Sequence, residues 1–257
     1  MTLEPRAARR WMCGTAIVAI AGLAASAQTA LRVKGTASGG DGVGLAASIE
    51  LEAFYGYRGL DFVGQKTFKT LSSDTGQWSV LGVTSGAWMF AAHAPGRLPQ
   101  VLFLPVQFTQ KNPASATGGQ LPWDVAFELM PAPAGSPLER AAAAARGGER
   151  ERAVAELAAA AESDDPQVLI AAGEIALYAR SAGLARALFE RAVAKAPALG
   201  RAHLGLASAA MMSGDWDTAS KRFWEARERG LPERLKRAVG MAITELQRIT
   251  RSDGALR

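Results

Sequence analysis

Residues 185–192, Ala-Arg-Ala-Leu-Phe-Glu-Arg-Ala, return 34 positions later as residues 219–226, Ala-Ser-Lys-Arg-Phe-Trp-Glu-Ala. A repeat of this period constrains the fold strongly, because each unit must be a short supersecondary element that buries its apolar face against its neighbours. Other positions fall into the same register. Gly173 matches Ala207, Gly214-Asp215-Trp216 reads as a turn between helices, and Pro197 and Pro232 end the two units. The small residues Gly173, Ala185, Ala192, Ala207, Ala219 and Ala226 would let paired helices approach closely, with Phe189 and Phe223 filling the space between them.

A weaker unit precedes these two. Ala153, Leu157 and Ala160 hold the second-helix positions, Gly147-Gly148 is the turn and Pro166 the stop, at an offset of 32 residues. Ser136-Pro137-Leu138-Glu139 supplies an N-cap, a proline at the first helical position and a capping-box glutamate, and Asp165-Pro166 repeats the start signal. The stretch from Pro232 to Thr250 reads as a capping helix over the open apolar end.

These residues resemble the tetratricopeptide repeat, a helix–turn–helix unit of 34 residues, over residues 136–252. In that family the first helices line a concave groove. Carried onto this chain, the groove positions are Gln167, Ile170, Glu174, Leu177 and Tyr178 in one unit and Arg201, Leu204, Ser208, Met211 and Met212 in the next. The set is mostly apolar with a polar rim, and the Lys/Asn carboxylate clamp of some chaperone-binding relatives is absent. The resemblance therefore implies a peptide or helix with apolar anchors in preference to an acidic C-terminal tail. The alternative is a groove filled by the chain's own linker, cap or β-region.

Upstream the period changes to two. Ile49, Leu51 and Ala53 alternate with Ser48, Glu50 and Glu52, and Val125, Phe127 and Leu129 alternate with Asp124, Ala126 and Glu128. Alternation of this kind predicts strands with one buried and one wet face. Gly39-Gly40-Asp41-Gly42, Asp74-Thr75-Gly76 and Ala94-Pro95-Gly96 punctuate them, which predicts an antiparallel sandwich over residues 28–130. The apolar run Val101 to Pro105 should be an edge or a bulge, since Pro105 cannot donate to a sheet ladder. The hairpin from Ser73 through Trp78 and Val80 to Gly86, followed by Trp88, Phe90, Ala92 and Gly96, resembles the carboxypeptidase regulatory-like (transthyretin-like) domain. Trp78 and Trp88 stand where Phe and Tyr are common, and Arg97 replaces an aromatic. That resemblance implies a stable, non-catalytic accessory module. Residues 131–135, Pro-Ala-Pro-Ala-Gly, read as a linker. The expected fold class is thus two-domain: an all-β sandwich followed by an all-α helical repeat, a TPR-like α-solenoid.

Arg6, Arg9 and Arg10 precede a short apolar run and Ala25-Ser26-Ala27, the three parts of a secretory signal peptide over residues 1–27. The expected location is periplasmic or secreted, with membrane attachment only if the segment is retained as an anchor. The single cysteine, Cys13, falls inside it, so a processed chain has no thiol for disulfides, catalysis or metal binding. Without residues 1–27 the net charge falls from +5 to +3, and the basic run from Lys221 to Arg237 is broken by Glu225, Glu228 and Glu233. This is a solvated face and gives no case for nucleic acid.

Chemistry finds few residues to use. The two histidines, His93 and His203, lie far apart in the sequence, and no H-E-x-x-H, P-loop or G-x-S-x-G motif is present. Both are expected to pack, and Glu50 and Glu52 to be solvated neighbours on a strand. No cofactor, metal or catalytic residue is expected, and the protein is not expected to be an enzyme. The expected function is an exported interaction or scaffold protein that binds an apolar peptide or envelope protein. The rivals are a cell-surface glycan module using Tyr55, Tyr57 and Trp123, and, less favoured, a hydrolase with a cleft carrying His93 or facing acids.

Overall fold

In the first strand, β1 (Leu31–Gly39), every second residue is buried and the residues between are partly or fully exposed. A computed structural model describes residues 31–55, 66–106, 119–120 and 124–254, and the export segment expected at residues 1–27 lies outside them. β1 pairs antiparallel with β4 (Gln77–Val83). On its other side it runs parallel to β7 (Gly119–Gln120) and β8 (Val125–Leu129). A second sheet has the order β3-β2-β5-β6, from β3 (Thr67–Leu71), β2 (Ser48–Tyr55), β5 (Gly86–His93) and β6 (Gln100–Val106). The turn at Asp74-Thr75-Gly76 closes tightly: Ser73 N–H donates to Gln77 O at 2.8 Å, and Gly76 holds φ +78°.

The two sheets pack face to face through Val33, Ala37, Trp78, Phe127, Ile49, Leu51, Trp88 and Phe90, all buried. Trp78 and Phe127 meet at 6.0 Å between ring centroids. Gln100 links the sheets, its Oε1 accepting from Glu128 N–H at 2.7 Å.

Among the described residues, seven helices follow. Three hairpins are formed by α1 (Pro137–Arg146) with α2 (Arg150–Ala161), α3 (Pro166–Tyr178) with α4 (Ala182–Lys195), and α5 (Gly200–Met212) with α6 (Trp216–Glu228). The long α7 (Glu233–Gly254) closes the series. Ser136 caps α1, accepting from Glu139 N–H at 3.1 Å, and Asp165 caps α3, accepting from Gln167 N–H at 2.8 Å. Phe189 and Phe223 are fully buried. A Cβ on Gly205 would lie 2.2 Å from the Phe189 ring, and one on Gly173 2.7 Å, so glycine is what lets α3, α4 and α5 close on that ring.

The expected fold class, an all-β sandwich followed by a separate all-α repeat, is corrected by the second sheet, although the β part does precede the helical part. In β5 every residue but His93 is buried, and in β6 every residue is. One face of these strands meets the first sheet. The other carries Met89, Ala91, Val101 and Phe103 and packs under α3, α5 and α7. Strands and helices therefore share one continuous apolar core running from Leu31 to Leu246. The fold is a mixed β-plus-helix arrangement in three layers, sheet on sheet on helices. Pro105 sits on the edge strand β6, as its missing donor requires. That edge is covered: Phe103 N–H donates to Ser208 Oγ of α5 at 3.3 Å. The linker expected at 131–135 is tied down at its start, where Ala132 N–H donates to Gly96 O at 2.9 Å.

A shared core unfolds as one unit. In urea, the tryptophan fluorescence of the intact chain, which includes the sheet residues Trp78 and Trp88, and the helical ellipticity at 222 nm should trace coincident transitions. Two separated midpoints would show that sheets and helices are independent.

Candidate functional site

The helix face expected to be an open groove lies mostly against the second sheet. Ile170, Glu174, Leu177, Leu204, Ser208, Met211 and Met212 are buried; Tyr178 and Arg201 are half-buried, and Gln167 is exposed. Two polar clusters mark this boundary, one around Tyr178 where α3 ends and one around Glu174 a turn earlier.

At the C-terminal end a clamp joins α3 to the strands. Tyr178 donates through its hydroxyl to Glu50 Oε2 at 3.1 Å. Glu50 Oε1 lies 2.8 Å from Lys69 Nζ and 3.7 Å from His93 Nε2. Two residues on, the Arg180 guanidinium pairs with Glu52, contacts Met89 Sδ and lies 5.3 Å from the Phe54 ring centroid. Contact with His93, together with Lys69 and Tyr178, lowers the Glu50 carboxyl to about 2 against the opposing effect of burial. Burial and the Glu50 carboxylate push the Tyr178 hydroxyl well above the ordinary phenol range, so it stays a donor. Glu50 and Glu52, expected to be solvated, are instead the sheet's half of an ionic contact with the helices.

Arg180 takes this role against its backbone preference. It holds φ +63°, the left-handed region, where a side chain costs about 1–2 kcal/mol. The equivalent turns at Gly148 and Gly214 hold φ +77° and +72° with glycine. All three turns share one hydrogen-bond pattern. Arg180 N–H donates to Leu177 O and Ser181 N–H to Ala176 O; Gly148 with Glu149, and Gly214 with Asp215, repeat it. An arginine at the glycine position of the repeat is the sequence signal that could have located the clamp.

Along α3 from Gln167 to Glu174 lies a cleft of about 220 Å³. One wall is Leu98 and Pro99 with Met130, Pro131 and Pro133; Leu98 N–H donates to Met130 O at 2.9 Å. The opposite wall is Leu138 of α1 with Val168, Ile170 and Ala171 of α3. Gln167, Glu174 and Arg201 supply its polar groups. Arg201 grips Glu174 with both Nε–H and Nη2–H at 3.0 Å. Burial raises the Glu174 carboxyl above its usual range against the pull of Arg201. Four of the ten expected groove residues, Gln167, Ile170, Glu174 and Arg201, therefore meet at this cleft. Leu204, Ser208, Met211 and Met212 do not line it.

His203 is buried, its Nε2–H donating to Pro197 O at 3.0 Å and its Nδ1 lying 3.0 Å from Glu225 Oε2, so it ties α5 to α6. Among the described residues, no group of three His, Cys, Asp or Glu could hold a metal ion, and no helix is long and apolar enough to cross a membrane. Tyr57 and Trp123, named for the glycan alternative, lie outside the described residues, as does the side chain of Tyr55.

No family model matches the chain, and no curated protein matches it. Among solved structures, an alanine-to-glycine variant of catechol 1,2 dioxygenase from Acinetobacter radioresistens aligns over 42% of this chain and 54% of that one, at 9% identity and a TM-score of 0.30. A leucine-to-alanine variant of the same enzyme aligns over the same shares at 9% identity and a TM-score of 0.31. The dioxygenase domain of a dioxygenase carbohydrate-binding protein fusion from Streptomyces sp. SirexAA-E aligns over 42% of this chain and 82% of that one, at 18% identity and a TM-score of 0.28. The chain spans about half the length of the first two. At these scores the likeness carries no argument about fold or activity.

The clamp gives two expectations. Arg180→Gly relieves the backbone while losing the side chain, and Arg180→Ala loses the side chain with the strain kept. The glycine variant should be the more stable by about 1 kcal/mol in urea unfolding, and an equal or reversed order would refute the strained-turn account. For Glu50, a carboxyl lowered on folding stabilises the fold above its unfolded value. That contribution falls away as pH drops from about 4.5 to about 2. Replacing Glu50 by Gln should flatten the acid limb of the stability curve over that window, and an unchanged limb would show that the clamp is not electrostatic.

Proposed function

We propose that this is an exported, non-catalytic binding protein that holds a protein or peptide partner in the periplasm or outside the cell. The observation that carries the reading is the cleft between the sheet-end segments and α3. It has apolar walls from Leu98, Met130, Leu138 and Ile170 beside a single ion pair, Glu174–Arg201. Apolar concavities with few polar groups suit recognition. The tetratricopeptide-like pattern supports a binding role. In this chain, however, sheet and helices cover each other along Leu177, Leu204 and Met211, so the partner is met at the end of the helix face and not along it. The histidines are engaged elsewhere, His93 beside Glu50 and His203 between Pro197 and Glu225. The basic start and the Ala25-Ser26-Ala27 exit support export.

The test is affinity capture from the envelope fraction with residues 28–257 as bait. The control bait carries Ala171→Phe, which fills the cleft from a half-buried position on its wall. A protein retained by the natural bait and lost with the control is expected. Capture of the same protein by both baits, or of nothing by either, would sink the reading.

A further inference from the structure

We infer that the cleft receives one apolar side chain of a neutral, peptide-like ligand, whose adjoining main-chain amide is read by Arg201 and Gln167. The inference rests on the binding reading above and names the chemistry of its ligand. Size is the first argument. At about 220 Å³ the cleft falls below the range of about 300–1,000 Å³ in which drug-sized molecules are held, and suits a single side chain with its backbone at the mouth.

Hydrogen-bonding capacity is the second. Arg201 spends its Nε–H and one Nη2–H on Glu174, and among the described residues its Nη1 makes no hydrogen bond. A guanidinium carries five N–H donors, so the donors on Nη1 remain for a ligand acceptor. Gln167 uses its backbone N–H on Asp165, while its side-chain carboxamide has no protein partner among the described residues. That group offers both a donor and an acceptor. Together the two residues offer donors and an acceptor, the kinds of group a peptide unit pairs with. The rim adds no competing donor where Pro99, Pro131 and Pro133 stand, because proline has no N–H.

Charge is the third. Glu174 takes up the Arg201 charge across two 3.0 Å contacts, and the Glu128 carboxylate acts on the same guanidinium from nearby, which adds to the cost of a further carboxylate. A ligand carboxylate would have to share the guanidinium with Glu174, at like-charge cost in a partly desolvated site. A ligand ammonium would face Arg201. Neither terminus of a peptide is favoured, and an internal segment is.

The test uses the full chain with methyl-labelled methionine and isoleucine, followed by NMR. The probes are Ac-Ala-Leu-Ala-NHMe, its all-alanine counterpart Ac-Ala-Ala-Ala-NHMe, and Ac-Ala-Leu with a free carboxylate. The neutral leucine peptide should shift the Met130 and Ile170 methyl signals saturably, with a dissociation constant on the order of 1 mM. The all-alanine probe should bind about tenfold more weakly. Arg201→Lys, which keeps the charge opposite Glu174 and removes the fork, should weaken binding by about tenfold. Gln167→Ala, at an exposed position that leaves packing intact, should weaken it severalfold. Absence of shifts at 10 mM peptide, about ten times that dissociation constant, equal affinity for the two neutral probes, or tighter binding of the free carboxylate would each overturn the inference. If peptides fail while Ala171→Phe still abolishes partner capture, the binding reading stands and this ligand assignment falls. If peptides bind as expected while capture ignores Ala171→Phe, the assignment stands and the partner reading falls.

Discussion

Burial of the outer face of the second sheet beneath α3, α5 and α7 is the contact on which the rest of the molecule depends. β5 and β6 present apolar side chains to both sides. Met89, Ala91, Val101 and Phe103 would be exposed on one wide face if the helices were absent. The helices have the matching need. In α5 every residue but Arg201 is buried, because α4 and α6 cover one side and β6 the other. A helix that is apolar all round is stable only inside a larger core. Neither half therefore has a solvent-ready surface at this boundary. The sheet covers the helix face that was expected to form a groove.

Apolar burial has no direction, and something must fix how the two layers are oriented. The clamp does this at one end of α3. Glu50 and Glu52 stand two apart on β2, hence on one face, while Tyr178 and Arg180 stand where α3 ends and the chain turns. Each carboxylate meets one of these groups, so a slip of the strand by one residue would break both contacts and turn the carboxylates into the sandwich. The left-handed arginine makes sense in this light. Glycine would relax the turn, as at Gly148 and Gly214, but it would leave Glu52, Met89 and Phe54 without the guanidinium.

What was legible in the sequence was whatever local spacing decides. The pairing of Phe189 with Phe223 at 34 residues located two helix hairpins, because residue type and period agreed. The Asp74-Thr75-Gly76 turn and the edge position of Pro105 followed from the backbone demands of glycine and proline. The core shared by sheets and helices was not legible, because the two parts are joined by contacts between residues about 90 to 130 apart, such as Met89 with Arg180 and Glu50 with Tyr178. Period two placed Glu50 and Glu52 correctly off the inner face, but strand alternation cannot distinguish water from a helix as the thing outside. Two signals pointed further. The runs Ala87 to Ala92 and Val101 to Val106 are apolar without alternation, as in strands covered on both faces. Arg180 stands in the repeat where the neighbouring units keep glycine.

The ion pair Glu174–Arg201 poses a separate question, since a buried pair is weak evidence for stability and apolar residues of similar volume often serve as well or better. Its neighbours sharpen the point. Ile170, Val168 and Leu138 line the same cleft with apolar side chains. The pair does bridge α3 to α5, yet Gly173 and Gly205 already bring those helices together around Phe189. What apolar residues could not provide is a set of donors held rigidly at the edge of an apolar hollow. Glu174 fixes the guanidinium plane through two parallel contacts on a residue that lines the cleft. The carboxylate thus acts as the positioning group for the arginine, and the arginine as the polar feature of the cleft. A fixed donor loses less freedom when it meets an acceptor than a mobile one does, which is how a hollow of this size can discriminate among partners it contacts over so small an area.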